Sequence, residues 1–250
     1  MANLPRISII TIVYNGVLEI ESTIQSVLNQ EYSDIEYIII DGASTDGTQK
    51  VVERFNSSLA YFESSPDEGI SDAFNKGISH ATGELIGLIN SGDILAPYAL
   101  QNVANNYLAI EQMDKMLILH GNIQMGLNSG KVYRPFQLDS FIYHMAIWYP
   151  TTFVTNEVYQ QFKYRNNFKI AMDYDLFSRV YASKASFKHI DETLVYMDTS
   201  GLSNSHAIQG FKEVRRSSRE NLKVSFLKSH LFYSYRCILF YLIKIKECLV

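Results

Sequence analysis

Apolar runs of strand length alternate with amphipathic stripes of helical period over the first hundred residues of this chain. Ile7–Val13 is the first such run and stops at Tyr14-Asn15-Gly16. Over 19–29, Ile20, Ile24, Val27 and Leu28 fall on one helical stripe. A second run at 37–40 leads into a helix opened by Asp46-Gly47-Thr48 and carrying Val51, Val52 and Phe55. Residues 59–63 predict a third strand, 70–79 a helix and 84–89 a fourth strand. Strands separated by helices of this length predict a parallel, doubly wound α/β sheet, whose ligands sit at the carboxyl ends of the strands.

The alternation loosens after Ala96-Pro97. A helix is predicted over 97–108, strands over 116–125 and 131–136, and an irregular stretch before 148–154. A helix over 171–183, a strand over 187–197 and a polar loop over 200–205 follow, and from His206 the pattern is helical almost to the end. The expected division is a nucleotide-binding half at 1–96, an acceptor half at 97–205 and a helical extension at 206–250.

Composition narrows the function class. The chain of 250 residues can bury one large core, and 47% hydrophobic with 19% charged residues is ordinary for a folded protein. The net charge of -4 conceals a basic end: residues 211–250 hold nine Lys or Arg against three Glu. The rest is therefore acidic, which argues against a nucleic-acid surface there. Cys237 and Cys248 show neither metal-ligand spacing nor a disulfide framework, so reduced thiols are expected. The N-terminal residues lack a secretory pattern, and the apolar run 237–243 is far short of the ~20 residues of a spanning helix. A cytoplasmic chain that does not cross a membrane is expected.

Polar and acidic groups recur at the predicted strand tips. Asn90-Ser91-Gly92-Asp93 follows the run ending at Ile89, and Asp93 is the natural ligand for a hard cation such as Mg²⁺ or Mn²⁺. Asp41 opens Asp41-Gly42-Ala43-Ser44-Thr45-Asp46-Gly47-Thr48 at a strand end, where a carboxylate has no capping role and can accept the ring N–H of a base. In Asp67-Glu68-Gly69-Ile70-Ser71-Asp72-Ala73-Phe74-Asn75-Lys76-Gly77, Asp72 and Lys76 share a helix face. They are either a surface ion pair or, with Asp67, a lining for a diphosphate sugar. Asp173-Tyr174-Asp175 opens a helix in the second half; it is the best acidic pair outside the nucleotide half for a base beside an acceptor hydroxyl. A Gly-x-Ser-x-Gly elbow, a Walker loop and a Gly-x-Gly-x-x-Gly fingerprint are all absent.

In order and spacing these motifs, from Thr11 and Tyr14-Asn15 through Ala81-Thr82-Gly83 and Asn90–Asp93, resemble the family 2 glycosyltransferases of the GT-A fold over roughly residues 6–205. The resemblance implies a Rossmann-like nucleotide-binding sheet with helices on both faces, and inverting transfer from a nucleotide-diphosphate sugar, a UDP-sugar by family habit. It places Thr11, Tyr14, Asn15, Asp41, Asp67, Asp72, Lys76, Asn90 and Ser91 at the donor, Asp93 on Mn²⁺ or Mg²⁺, and Asp173 as base with Asp175 as alternate. Ser200-Gly201-Leu202-Ser203 resembles the loop that closes over the donor. The basic, apolar tail could lie on an anionic membrane surface, pack as a lid or make a homodimer contact. The first fits an undecaprenyl-diphosphate-linked saccharide acceptor at the inner face of a bacterial plasma membrane, in O-antigen, capsule or exopolysaccharide assembly. The rivals are a sugar-1-phosphate nucleotidyltransferase and a non-catalytic nucleotide-sugar-binding relative.

Overall fold

The computed structural model describes residues 4–110, 114–126, 130–197 and 206–248. Among these the strands form one nine-stranded sheet. Its first half is the predicted one: β1 (Ile7–Val13), β2 (Ile35–Asp41), β3 (Tyr61–Ser64) and β4 (Leu85–Leu88) lie side by side in the order β3-β2-β1-β4, all parallel.

Every residue of β1 is buried, because both faces of the sheet are covered and the period-2 alternation sends side chains into two cores. Ile7, Ile9 and Val13 pack with α1 (Ile20–Leu28), α2 (Thr48–Glu53) and α4 (Ala99–Leu108). Ile10 and Ile12 pack on the other side with Phe74 of α3 (Ile70–His80) and with Leu176 and Phe177 of α6 (Met172–Ala182). Gly77 lets α3 lie against β1, since a Cβ there would collide with Ile10.

The second half departs from the parallel pattern. β8 (Thr152–Thr155) runs antiparallel to both β4 and β6 (Leu117–Met125), and β9 (Ser186–Met197) is parallel to β6. β5 (Ile94–Leu95) adds antiparallel to β9, and β7 (Val132–Tyr133) to β6. The strand expected over 131–136 shrinks to β7 alone. β5 and α5 (Asn156–Gln161) were not predicted, being too short for a periodic signal.

The C-terminal region is two helices, α7 (Ala207–Asn221) and α8 (Phe226–Cys248), broken where Lys223 takes a left-handed φ of 56°. α7 is part of the body rather than an appendage. Buried Ser178 of α6 and Ser217 of α7 approach to 3.1 Å, which only small side chains permit between neighbouring helices. α8 packs on α7 with one face and turns another to solvent. There Leu227, Leu231, Ile238, Leu242 and Ile245 recur at helical spacing, each more than half exposed.

Candidate active site at the carboxyl edge of the sheet

The parallel register places Val13 opposite Asp41, so the loops after β1 and β2 leave the sheet together. They are then laced by side chains. Ser44 Oγ accepts from Asn15 N at 2.7 Å, Asn15 Oδ1 from Thr45 N at 2.9 Å, and Thr48 Oγ1 from Gly16 N at 3.0 Å. Asn15 at φ 50° and Ala43 at φ 62° are left-handed, a conformation Asn tolerates and Ala holds only under constraint. Asp41 supplies the constraint. Its Oδ2 accepts from Ser44 N at 3.0 Å and from Ser64 Oγ at 2.5 Å, while Oδ1 accepts from the Ser44 hydroxyl. Asp41 is fully buried, and its carboxylate ties these loops to the end of β3.

Above this frame three groups converge. A Cβ on Gly42 would lie 2.7 Å from Asp67 Oδ2 and 3.3 Å from the Tyr14 ring, so the glycine backbone, that carboxylate oxygen and that aromatic edge meet at one spot. Tyr14 is 68% exposed at the tip of β1. Asp67 is anchored through Oδ1, which accepts from Gly69 N at 2.8 Å. Two residues expected at the donor bond the same loop: Asp72 accepts from Glu68 N at 3.2 Å, and Lys76 donates to Ser65 Oγ at 3.2 Å and Pro66 O at 2.8 Å. Their own separation of 3.7 Å is the ion pair that the spacing allowed. Thr11, also expected there, is fully buried with its hydroxyl 3.1 Å from Tyr37 Oη, bracing β1 on β2.

The Asn90–Asp93 turn follows β4. Thr23 of α1 clamps it, accepting from Gly92 N at 3.0 Å and donating to the Asp93 carbonyl at 2.9 Å. Thr23 was missed, although a threonine amid the apolar stripe of Ile20, Ile24 and Val27 was a readable signal. Asn90 Oδ1 and Ser91 Oγ are shut from solvent with no hydrogen-bond partner among the described residues, an arrangement that is costly unless a further group completes it. Among the described residues no cluster of three or more His, Cys, Asp or Glu could hold a metal. The turn instead offers one carboxylate, Asp93, beside amide and hydroxyl oxygens. That hard-oxygen set fits Mg²⁺ or Mn²⁺ provided a diphosphate supplies further oxygens.

Asp173 lies in the first turn of α6, and its Oδ1 is buried without a partner among the described residues. Burial pushes its carboxyl up to about 7; the Tyr164 hydroxyl opposes this in part without reaching ordinary hydrogen-bond geometry. Tyr149, Tyr159 and Tyr164 surround it, each with its phenol raised by burial and by the Asp173 charge. Tyr149 also feels Asp93, so its hydroxyl lies between the turn after β4 and the start of α6. A cavity of about 730 Å³ opens beside Asp173, with Trp148 and Tyr149 in its wall.

Asp175 has a different environment. Burial would raise it, but Arg165 and Arg179 outweigh that and hold it below the usual carboxylate range, and Ser217 and Asn221 of α7 also donate to it. Both its oxygens are occupied. Glu213 of α7 was missed. It accepts backbone N–H bonds of 2.8–3.1 Å from Lys169, Ile170 and Ala171, fixing the approach to α6. No local pattern points to that role, because the partners lie more than forty residues away. The expected closing loop, Ser200-Gly201-Leu202-Ser203, lies outside the described residues.

In this mixed sheet the acidic and aromatic groups gather at the carboxyl edge of the parallel strands, where open α/β sheets bind their ligands. The family model described as Glycosyl transferase family 2 matches residues 8–174, and the chain belongs to that family. An uncharacterised glycosyltransferase of Mycobacterium tuberculosis is 39% identical over 94 residues, 37% of this chain; the match spans 36% of the relative's length. Among solved structures the fold is that of S. aureus TarS 1-349 in complex with UDP, with TM-score 0.68 and 18% identity over 93% of this chain and 70% of that one. It is also that of the mannosyltransferase PcManGT from Pyrobaculum calidifontis in complex with GDP-Man and Mn²⁺, with TM-score 0.64 and 18% identity over 94% and 74% of the two chains.

Proposed function

We propose that this protein is an inverting glycosyltransferase that moves a sugar from a nucleotide-diphosphate sugar, by preference a UDP-sugar, to a lipid-linked saccharide. The observation that carries the reading is Asp173: an unpartnered carboxylate oxygen, poised near neutrality, facing a cavity and joined through Tyr149 to the surroundings of Asp93. A general base works best with its pKa near the operating pH. The acceptor hydroxyl oxygen attacks the anomeric carbon while its proton passes to the Asp173 carboxylate. The bond from that carbon to the diphosphate oxygen breaks on the opposite face, and the nucleoside diphosphate leaves. Asp175, its oxygens held by arginines, is a positioning residue for the start of α6.

For the donor, the Tyr14 ring offers a face and Asp67 Oδ2 an acceptor for base or ribose, with Asn15 and Asp41 ordering the loops beneath. Direct contact between Asp41 and a base would require exchange of one of its serine hydrogen bonds. Asp93, with Asn90 Oδ1 and Ser91 Oγ beside it, would hold Mn²⁺ or Mg²⁺; the oxygens of Asn90 and Ser91, unpartnered among the described residues, support that reading. When bound, such an ion neutralises charge on the leaving diphosphate. The UDP and Mn²⁺ present in the structural neighbours support donor class and metal.

No described helix is long and apolar enough to cross a membrane. The outward apolar stripe of α8, with Lys228 and Lys246 beside it, supports peripheral contact with the cytoplasmic face of a bacterial membrane. An undecaprenyl-diphosphate-linked acceptor in O-antigen, capsule or exopolysaccharide assembly fits that setting. The test is Asp173→Asn: transfer from the UDP-sugar falls about 10²–10⁴-fold, while calorimetric UDP binding is retained. A variant as active as its parent sinks the base assignment, and UDP binding by the parent without transfer to any lipid-linked saccharide identifies a binding-only relative.

A further inference from the structure

The cavity beside Asp173 is not confined to the acceptor half. Its far wall is built by the two C-terminal helices, with Phe211 of α7 and Phe232, Leu239, Phe240 and Ile243 of α8. Leu239 and Ile243 are 40% and 49% exposed, so the cavity opens along α8 next to the outward apolar stripe. A cavity of about 730 Å³ suits a ligand of drug size. Hydrocarbon walls alone would say little about the occupant.

Two guanidinium groups say more. Arg215 and Arg236 both line this cavity. Arg236 stands over the Phe211 ring at 4.6 Å and Arg215 over the Tyr233 ring at 4.8 Å. Arg215 also donates to His230 Nδ1 at 2.9 Å. Among the described residues neither has a carboxylate within 4.0 Å, whereas Arg165 and Arg179, near by, are paired with Asp175. Burial lowers the pKa of Arg236, which records the cost of holding that cation in apolar surroundings. A desolvated cation without a counter-ion is costly, and an anionic ligand group removes the cost.

On the reading of the protein as a transferase to a lipid-linked acceptor, we propose that this cavity is the seat of the acceptor's lipid phosphate. The phosphate or diphosphate pairs with Arg215 and Arg236, the first part of the hydrocarbon chain lies among Phe211, Phe232 and Phe240, and the sugar is presented to Asp173. The rest of the chain leaves past Leu239 and Ile243 toward the outward stripe of α8. The C-terminal helices are then acceptor-binding elements, not only an anchor.

The chain contains a single tryptophan, and Trp148 lines the cavity with its Nε1 buried and unpartnered among the described residues, so its fluorescence reports occupancy directly. The full-length protein is titrated with a C15 isoprenyl diphosphate, with inorganic pyrophosphate, with the C15 alcohol and with phosphatidylglycerol vesicles. The expected result is a saturable shift of Trp148 emission with the isoprenyl diphosphate, at least tenfold tighter than with either half-molecule. Arg215→Gln and Arg236→Gln each weaken it tenfold or more. Lys212→Gln, an exposed charge on α7, leaves it unchanged. UDP binding, measured by calorimetry on every variant, stays at the parental value and shows that the variants are folded.

Absence of saturable binding, indifference to the arginine substitutions, or equally tight binding of pyrophosphate alone overturns the proposal. So does a vesicle response that needs Arg236 as much as the isoprenyl diphosphate does, since the cavity would then hold a bilayer lipid. Efficient transfer to a water-soluble saccharide with no isoprenyl diphosphate binding refutes this site and leaves the transferase reading intact. Isoprenyl diphosphate binding without transfer from any donor does the reverse.

Discussion

At the scale of single residues, two carboxylates on the same helical turn are given opposite properties by what surrounds them. Asp173 faces buried phenols and is paired with no cation among the described residues, and burial raises its carboxyl to about 7 from the ordinary 3.8. Asp175 is wrapped by two arginines and held low. A base with the first property predicts a transfer rate that climbs with pH to a plateau above about 7, read from a pH–rate profile. The same shift bears on stability. A carboxyl with a raised folded-state pKa contributes fully below its unfolded value, and that contribution is lost as pH rises through about 7. Asp173→Asn therefore matches its parent near pH 4 and exceeds it at pH 8 by up to about 4 kcal/mol, seen as a higher melting temperature. Asp175→Asn does the opposite: Arg179 loses its counter-ion and Arg165 keeps only Glu220, and stability falls by roughly 3–5 kcal/mol at neutral pH.

At the scale of elements, α7 is the unexpected contributor. Seen as sequence it begins a basic extension; in the fold, Glu213, Ser217 and Asn221 reach across to the start of α6 and hold the segment that carries Asp173. Burial would raise Glu213, but the N–H groups of Ala171, Ile170 and Lys169 together with Gln209 outweigh it and keep the carboxyl low. A group lowered in the folded state contributes stability above its unfolded pKa, and loses it as pH falls through the folded value. Glu213→Gln is expected to cost about 1–3 kcal/mol at pH 7 and progressively less below pH ~4, measured by thermal denaturation. Loss of transfer should accompany it, since the base is then less firmly placed.

At the scale of the whole molecule, the parallel half of the sheet builds the edge that carries Tyr14, Asp41 and Asp67, while the antiparallel additions and the C-terminal helices enclose Asp173. The outward stripe of α8 predicts co-sedimentation with anionic vesicles that weakens with salt and is lost in Leu231→Glu/Leu242→Glu. A salt-independent dimer in sedimentation, with no vesicle binding, would instead assign that stripe to a second copy of the chain. The sequence alone determined the first four strands, their helices and the acidic tips, because a strand buried on both faces is an uninterrupted apolar run and a turn is written in neighbouring residues. It also carried the family, as the match over residues 8–174 bears out. Only the tertiary structure decided which polar residues are sealed in the core and which stand at the sheet edge. Thr11 and Asn15 sit four positions apart on one strand and its turn, yet the first is sealed against Tyr37 and the second belongs to the loop framework at the sheet edge. Tertiary packing likewise separated Asp173 from Asp175 and seated Arg236 in an apolar wall. The physical reason is that burial and charge pairing belong to groups distant in the chain, and local periodicity holds no record of them.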